Sequence, residues 1–129
     1  MTRKTAQFGI IGTAVMGRNL ALNVLDHGFS VAAWNREREL LDRAVKESGA
    51  RLIAADSLSD LVEALERPRR LLVMIKADAV DKVLPELAPL LDPGDIVIDG
   101  GNSLFLDTRR REQGAKSDGY HFVGVGVSG

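Results

Sequence analysis

The stretch Gln7-Phe8-Gly9-Ile10-Ile11-Gly12-Thr13-Ala14-Val15-Met16-Gly17 decides the fold. Its first half is a short apolar run closed by glycine, as expected of a strand covered on both faces. Its second half, Gly12 to Gly17, is a variant of the G-x-G-x-x-G pattern with Ala14 at the middle position. Gly12 permits a tight turn out of the strand, and Gly17 lets the next helix pack closely on the sheet. The middle residue must be small, so that backbone can approach a pyrophosphate seated on the unpaired N–H groups of a helix N-terminus. Alone the pattern is weak, because glycines also serve a bare strand-to-helix turn. Here an apolar strand precedes it and apolar residues recur at helical spacing from about Val15 to Leu25, the context that gives it meaning.

Outward from this stretch the chain alternates strand and helix. Gly28 stops the first helix, and residues 30–34 (SVAAW) read as a second strand. A helix over 37–48, a short strand over 51–54 and a helix from the Ser57 region to about Glu66 follow. Pro68 breaks the chain before an apolar strand over 71–75 (LLVMI). The spacing then predicts a helix over 79–91, kinked or broken by Pro85 and Pro89. A turn at 92–95 leads to a strand over 96–99, a polar helix over 105–116 and a last strand over 120–125. Strands alternating with helices of this length imply a parallel sheet with right-handed crossovers. The expectation is one domain over residues 1–129: an α/β, doubly wound Rossmann dinucleotide fold of about six strands in the order 3-2-1-4-5-6.

In such a sheet ligands bind at the carboxyl ends of the strands, which selects the residues to watch. The second strand ends near Asn35-Arg36-Glu37, roughly 20 residues past Gly12, where the adenosine ribose is read. A carboxylate there accepts from a 2′-hydroxyl and favours NAD, whereas a guanidinium suits a 2′-phosphate and favours NADP. Arg36 and Glu37 therefore pull in opposite directions, and Arg38 is available to supplement Arg36. The plain alternative is a solvated first helical turn. Lys76-Ala77-Asp78, Asp99-Gly100-Gly101-Asn102-Ser103 and Gly124–Gly129 follow later strands on the same edge. His27 and His121 lack partners at ligand spacing, so neither metal binding nor catalysis is expected of them. Trp34 and Met74 are expected in the core. Gly12→Val is expected to abolish cofactor binding while the fold survives.

Composition removes other classes. Seventeen Lys and Arg against 18 acidic residues give a formal charge of −1, with no broad attraction to nucleic acid or an anionic membrane. No apolar run approaches the ~20 residues that span a bilayer. There is no cysteine, which excludes disulfides, thiolate metal sites and cysteine nucleophiles and suits a reducing cytoplasm.

Taken together, Gly12–Asn23, Asn35-Arg36, Lys76-Ala77, Ile98–Ser103 and Val127–Gly129 resemble the cofactor-binding part of 6-phosphogluconate dehydrogenases, in order and at that family's spacing. The resemblance implies an NADP-dependent oxidoreductase that oxidises and decarboxylates 6-phosphogluconate to ribulose 5-phosphate. It implies that Gly12, Thr13, Ala14, Val15, Met16 and Gly17 hold the pyrophosphate, and that Asn35, Arg36 and Glu37 surround the ribose. Ile75, Lys76 and Ala77 would contact the cofactor, Asn102 both cofactor and substrate, and Ser128 and Gly129 the substrate. Glu37 stands where the family usually has Ser or Thr, which leaves NAD open beside NADP; Thr13 replaces a usual Leu. The family's catalytic lysine and glutamate and most of its dimer interface belong to a C-terminal helical domain that this chain lacks. Its 129 residues are thus expected to bind cofactor without turnover, with no catalytic residue and no metal. Two rivals are the cofactor domain of a β-hydroxyacid dehydrogenase and a stand-alone dinucleotide-sensing module.

Overall fold

The computed structural model describes residues 5–101 and 105–125; Asn102, Ser128 and Gly129 lie outside them. The strands are β1 (Phe8–Ile11), β2 (Val31–Trp34), β3 (Ile53–Ala54), β4 (Arg70–Val73), β5 (Ile96–Asp99) and β6 (His121–Gly124). Between them run α1 (Val15–Asp26), α2 (Arg38–Glu47), α3 (Leu58–Glu63), α4 (Ala77–Leu87) and α5 (Phe105–Asp118). All six strands pair in parallel in the order β3-β2-β1-β4-β5-β6. The expected doubly wound fold and strand order are both present.

Ile10 and Ile11 show how the sequence makes this sheet. Successive strand residues point to opposite faces, and both isoleucines are essentially fully buried, each in a different core. Ile10 packs with Val31, Ala33 and the inner faces of α1 and α2, through Ala21, Leu25, Leu41 and Ala44. Ile11 packs with Ala32, Leu71, Val73 and Val97 under α3 and α4, through Leu61, Val62, Val80, Val83 and Leu87. Each such side chain contributes roughly 1.5–3 kcal/mol on burial.

Several boundaries differ from the sequence reading, for local reasons. β3 has only two residues. The Leu52 N–H donates to the Ser48 hydroxyl (3.0 Å) and Arg51 Nε to the Ser48 carbonyl (2.8 Å), which diverts the expected start of the strand to the end of α2. β4 stops at Val73, two residues early. Met74 N–H still donates to the Ile11 carbonyl (2.7 Å), after which the chain turns beneath Gly12. Pro85 lies inside α4, which gives way to a 3₁₀ turn over Ala88–Leu90. The break expected from the two prolines thus falls at Leu87, not at Pro85.

Candidate cofactor site

Gly12 leaves β1 with φ of +101°, a conformation that only glycine adopts readily. A β-carbon there would also strike the Met74 carbonyl oxygen and lie 2.7 Å from the Ile75 side chain. On Gly17 a β-carbon would run into the Gly12 carbonyl, so α1 rests directly on the turn. Gly101 repeats the device after β5, where an added β-carbon would come within 2.8 Å of the Ile75 carbonyl. The Met74-Ile75-Lys76 segment is therefore pressed from two sides by glycine backbone, and three turns of the carboxyl edge meet.

These geometries correct one expectation. Gly12→Val cannot leave the fold largely intact, since the added carbons occupy the space of Met74 backbone.

Between these turns opens a cleft of about 320 Å³. Gly12, Ala14, Asn35, Arg36, Glu37, Ile75 and Lys76 line it, bringing together residues that lie far apart in sequence. The other expected residues of the first loop, Thr13, Val15, Met16 and Gly17, are not among those that line it, nor is Ala77. Val15 and Met16 are exposed on the first turn of α1, and Thr13 is fully buried. Ala77 opens α4, with Lys76 at its N-cap. The Thr13 hydroxyl is buried without a hydrogen-bond partner among the described residues.

α1 is built to receive an anion. Its N-cap, Ala14, offers no side-chain hydrogen bond, and no acidic residue occupies the first turn. By contrast, the Ser57 hydroxyl caps α3 by accepting from the Asp60 N–H at 3.0 Å. The leading N–H groups of α1 are left with the positive end of the helix dipole beside the cleft.

At the end of β2, Asn35 braces the site. Its Oδ1 accepts from Thr13 N–H (2.9 Å), and its Nδ2 donates to the Glu37 carbonyl (2.9 Å). One donor and one acceptor position of the amide remain for a ligand. Arg36 is exposed, places its guanidinium 5.9 Å from the centre of the Trp34 ring and has no ion pair among the described residues. Arg38, expected to supplement it, pairs instead with Asp42 (2.9 Å) and Asp56 (2.6 Å) at the surface. Among the described residues Glu37 is the only carboxylate lining the cleft.

Sequence reasoning missed the apolar wall: Trp34, Leu40, Met74, Ala79 and Val83 also line the cleft. Trp34 and Met74 are both half-buried; Trp34 still packs against the core, as expected, whereas Met74 is not part of it. Their places at strand ends were the signal. It also missed an ionic cluster behind the site, where Arg111 of α5 meets Asp81 of α4 and Asp99 of β5. Hydrogen bonds from Arg111, with help from Arg110, outweigh partial burial and hold the Asp81 carboxyl at about 2, below its usual 3.8. Among the described residues no cluster of ligating side chains is present that would hold a metal ion, and no helix is long and apolar enough to cross a membrane.

A parallel sheet in this order, with a glycine-built cleft where the chain order reverses beside β1, defines a dinucleotide-binding domain of the Rossmann type. The family model described as the NAD binding domain of 6-phosphogluconate dehydrogenase matches residues 7–129. The chain belongs to that family, as its NAD-binding domain. It is 54% identical over 126 residues to a decarboxylating 6-phosphogluconate dehydrogenase of Synechococcus elongatus, and 49% identical over 132 residues to one of Saccharomyces cerevisiae. These alignments cover 95% and 100% of this chain, which spans 27% of the length of each relative. Plasmodium falciparum 6-phosphogluconate dehydrogenase, whose structures include complexes with NADP+ and with 6-phosphogluconate, superposes with a TM-score of 0.90 at 33% identity. That match covers 95% of this chain and 27% of the other. A 3-hydroxyisobutyrate dehydrogenase of Mycobacterium tuberculosis shares the fold, with a TM-score of 0.80 at 18% identity over 97% of this chain and 41% of the other.

Proposed function

We propose that this chain is the NADP-holding part of an enzyme that oxidatively decarboxylates 6-phosphogluconate to ribulose 5-phosphate. The observation that carries the reading is Arg36, a guanidinium without an ion pair among the described residues, at the ribose end of a cleft whose other wall is an uncapped helix start. The site fits the dinucleotide. Its volume suits the adenosine half, Arg36 reads a 2′-phosphate, and the N–H groups from Ala14 onward receive the pyrophosphate. Asn35 keeps the Gly12 loop and the β2 end in register while offering its remaining donor to the ribose. Lys76 adds a second positive charge over the phosphates. Bound NADP supplies the hydride acceptor.

In this reading Asn102 faces both cofactor and substrate, and Ser128 and Gly129 contact 6-phosphogluconate. The domain holds and orients cofactor, and residues 1–129 act as one unit. A helical domain of the kind the family carries would complete the catalytic site and form the dimer. A cytoplasmic setting accords with a chain free of cysteine.

Calorimetric titration with NADP and with NAD tests the proposal. Arg36→Ala should weaken NADP by about 10- to 100-fold, the worth of one or two charge-assisted hydrogen bonds, and leave NAD nearly unchanged. Equal losses would remove Arg36 from the 2′-phosphate. Glu37, on the same cleft, carries the second reading: if the native chain prefers NAD, its carboxylate is the ribose reader.

A further inference from the structure

Arg111 sits on α5, yet its side chain is 2% exposed and reaches two other elements of the fold, α4 and β5. Its Nε and Nη2 grip the two oxygens of Asp81 at 3.0 and 3.1 Å. The same Nη2 donates to the Ala77 carbonyl at 2.9 Å, and Nη1 lies 3.5 Å from Asp99 Oδ2. The other oxygen of Asp99, itself buried, accepts from the Gly101 N–H at 3.0 Å. One guanidinium therefore ties the start of α4, immediately after Lys76, to the turn that follows β5. Those two turns already touch, Gly101 lying against the Ile75 carbonyl.

We infer that Arg111 is a positioning residue for the cofactor: by holding the Ala77 carbonyl and the Asp99 carboxylate together it sets the spacing of the turns at Ile75–Ala77 and Gly100–Gly101. This rests on the cofactor reading above. A dinucleotide whose adenosine half fills the cleft at Arg36 must lay its other half along the sheet edge toward these turns. A guanidinium suits the task because it is planar, permanently charged and able to bond several acceptors at once. A lysine keeps the charge but cannot span all of them. Burial of a charge is tolerated only with such full pairing, and here each acceptor lies on or within one helical turn of the cofactor edge.

The test separates the two halves of the ligand. NADP and 2′,5′-ADP, which carries only the adenosine end, are titrated into the native chain and into Arg111→Lys. The expected result is a loss of about tenfold for NADP with a clearly smaller loss for 2′,5′-ADP, which meets only the Ile75–Lys76 side of the two turns. A parallel loss for both ligands, as general loosening of the fold gives, overturns the inference, as does no loss for either. If Arg111→Lys does not fold, Asp81→Asn removes the partly exposed partner instead. The same split, about threefold, is then expected and the same outcomes overturn it. Failure of the native chain to bind NADP sinks the cofactor reading, and this inference with it. Native binding without the split sinks the inference alone.

Discussion

Gly12 and Thr13 are neighbours whose substitution should have opposite effects. Gly12→Ala places a carbon against the Met74 carbonyl at a φ of +101°, and should cost about 2 kcal/mol or more. Thr13→Val keeps the shape and removes a buried hydroxyl with no partner among the described residues. It should leave stability unchanged or raise it by about 1 kcal/mol. Paired thermal melts check both, and a destabilised Thr13→Val would mean that the hydroxyl is bonded in solution. The fingerprint glycines were legible in the sequence because their reason is steric and local. The duty of Asn35 was only half legible. Its place at the ribose end follows from spacing, but its bond to Thr13 N–H spans 22 positions and exists only once β1 and β2 pair.

Among the elements, α4 meets the sheet through Val80, Val83 and Leu87 but is joined to α5 by charge. Asp81, held at about 2, is ionised in the fold at any pH where its unfolded counterpart, near 3.8, is still protonating. A carboxylate depressed in this way adds stability that is complete above about pH 4 and is lost as the pH falls toward 2. Asp81→Asn should therefore be less stable than the native chain at pH 7 and approach it near pH 2. Denaturant melts at the two values check this, and a difference independent of pH would point to packing. The polar surface of α5 was visible in Arg109-Arg110-Arg111-Glu112, but nothing local marks Arg111 as the buried member. Asp81 and Ala77 stand 30 and 34 positions away on α4 and Asp99 lies on β5, so only the packing of α5 against both reveals it.

For the whole molecule, β1 is paired on both sides, whereas β3 offers two residues to β2 and β6 closes the other edge. Protection from amide exchange should be greatest at Ile10, Ile11 and Leu72, decline toward β6 and be least at Ile53 and Ala54. Uniform protection across the six strands would show instead that the sheet opens only as a unit. At this scale the sequence was most informative. Apolar runs separated by amphipathic segments dictate a parallel sheet, and connection chirality leaves few ways to order its strands. Boundaries such as the shortened β3 escaped it, because a serine side chain at the end of α2 takes a bond that pattern alone assigns to the sheet.

The half-buried Trp34 is the one indole in these 129 residues, and it forms part of the cleft wall beneath Arg36. Light emitted on excitation at the red edge of protein absorption therefore originates at a single address, where an adenine would arrive. Quenching or a spectral shift on titration reads occupancy without any added label, and the same signal during a melt reports when that wall comes apart.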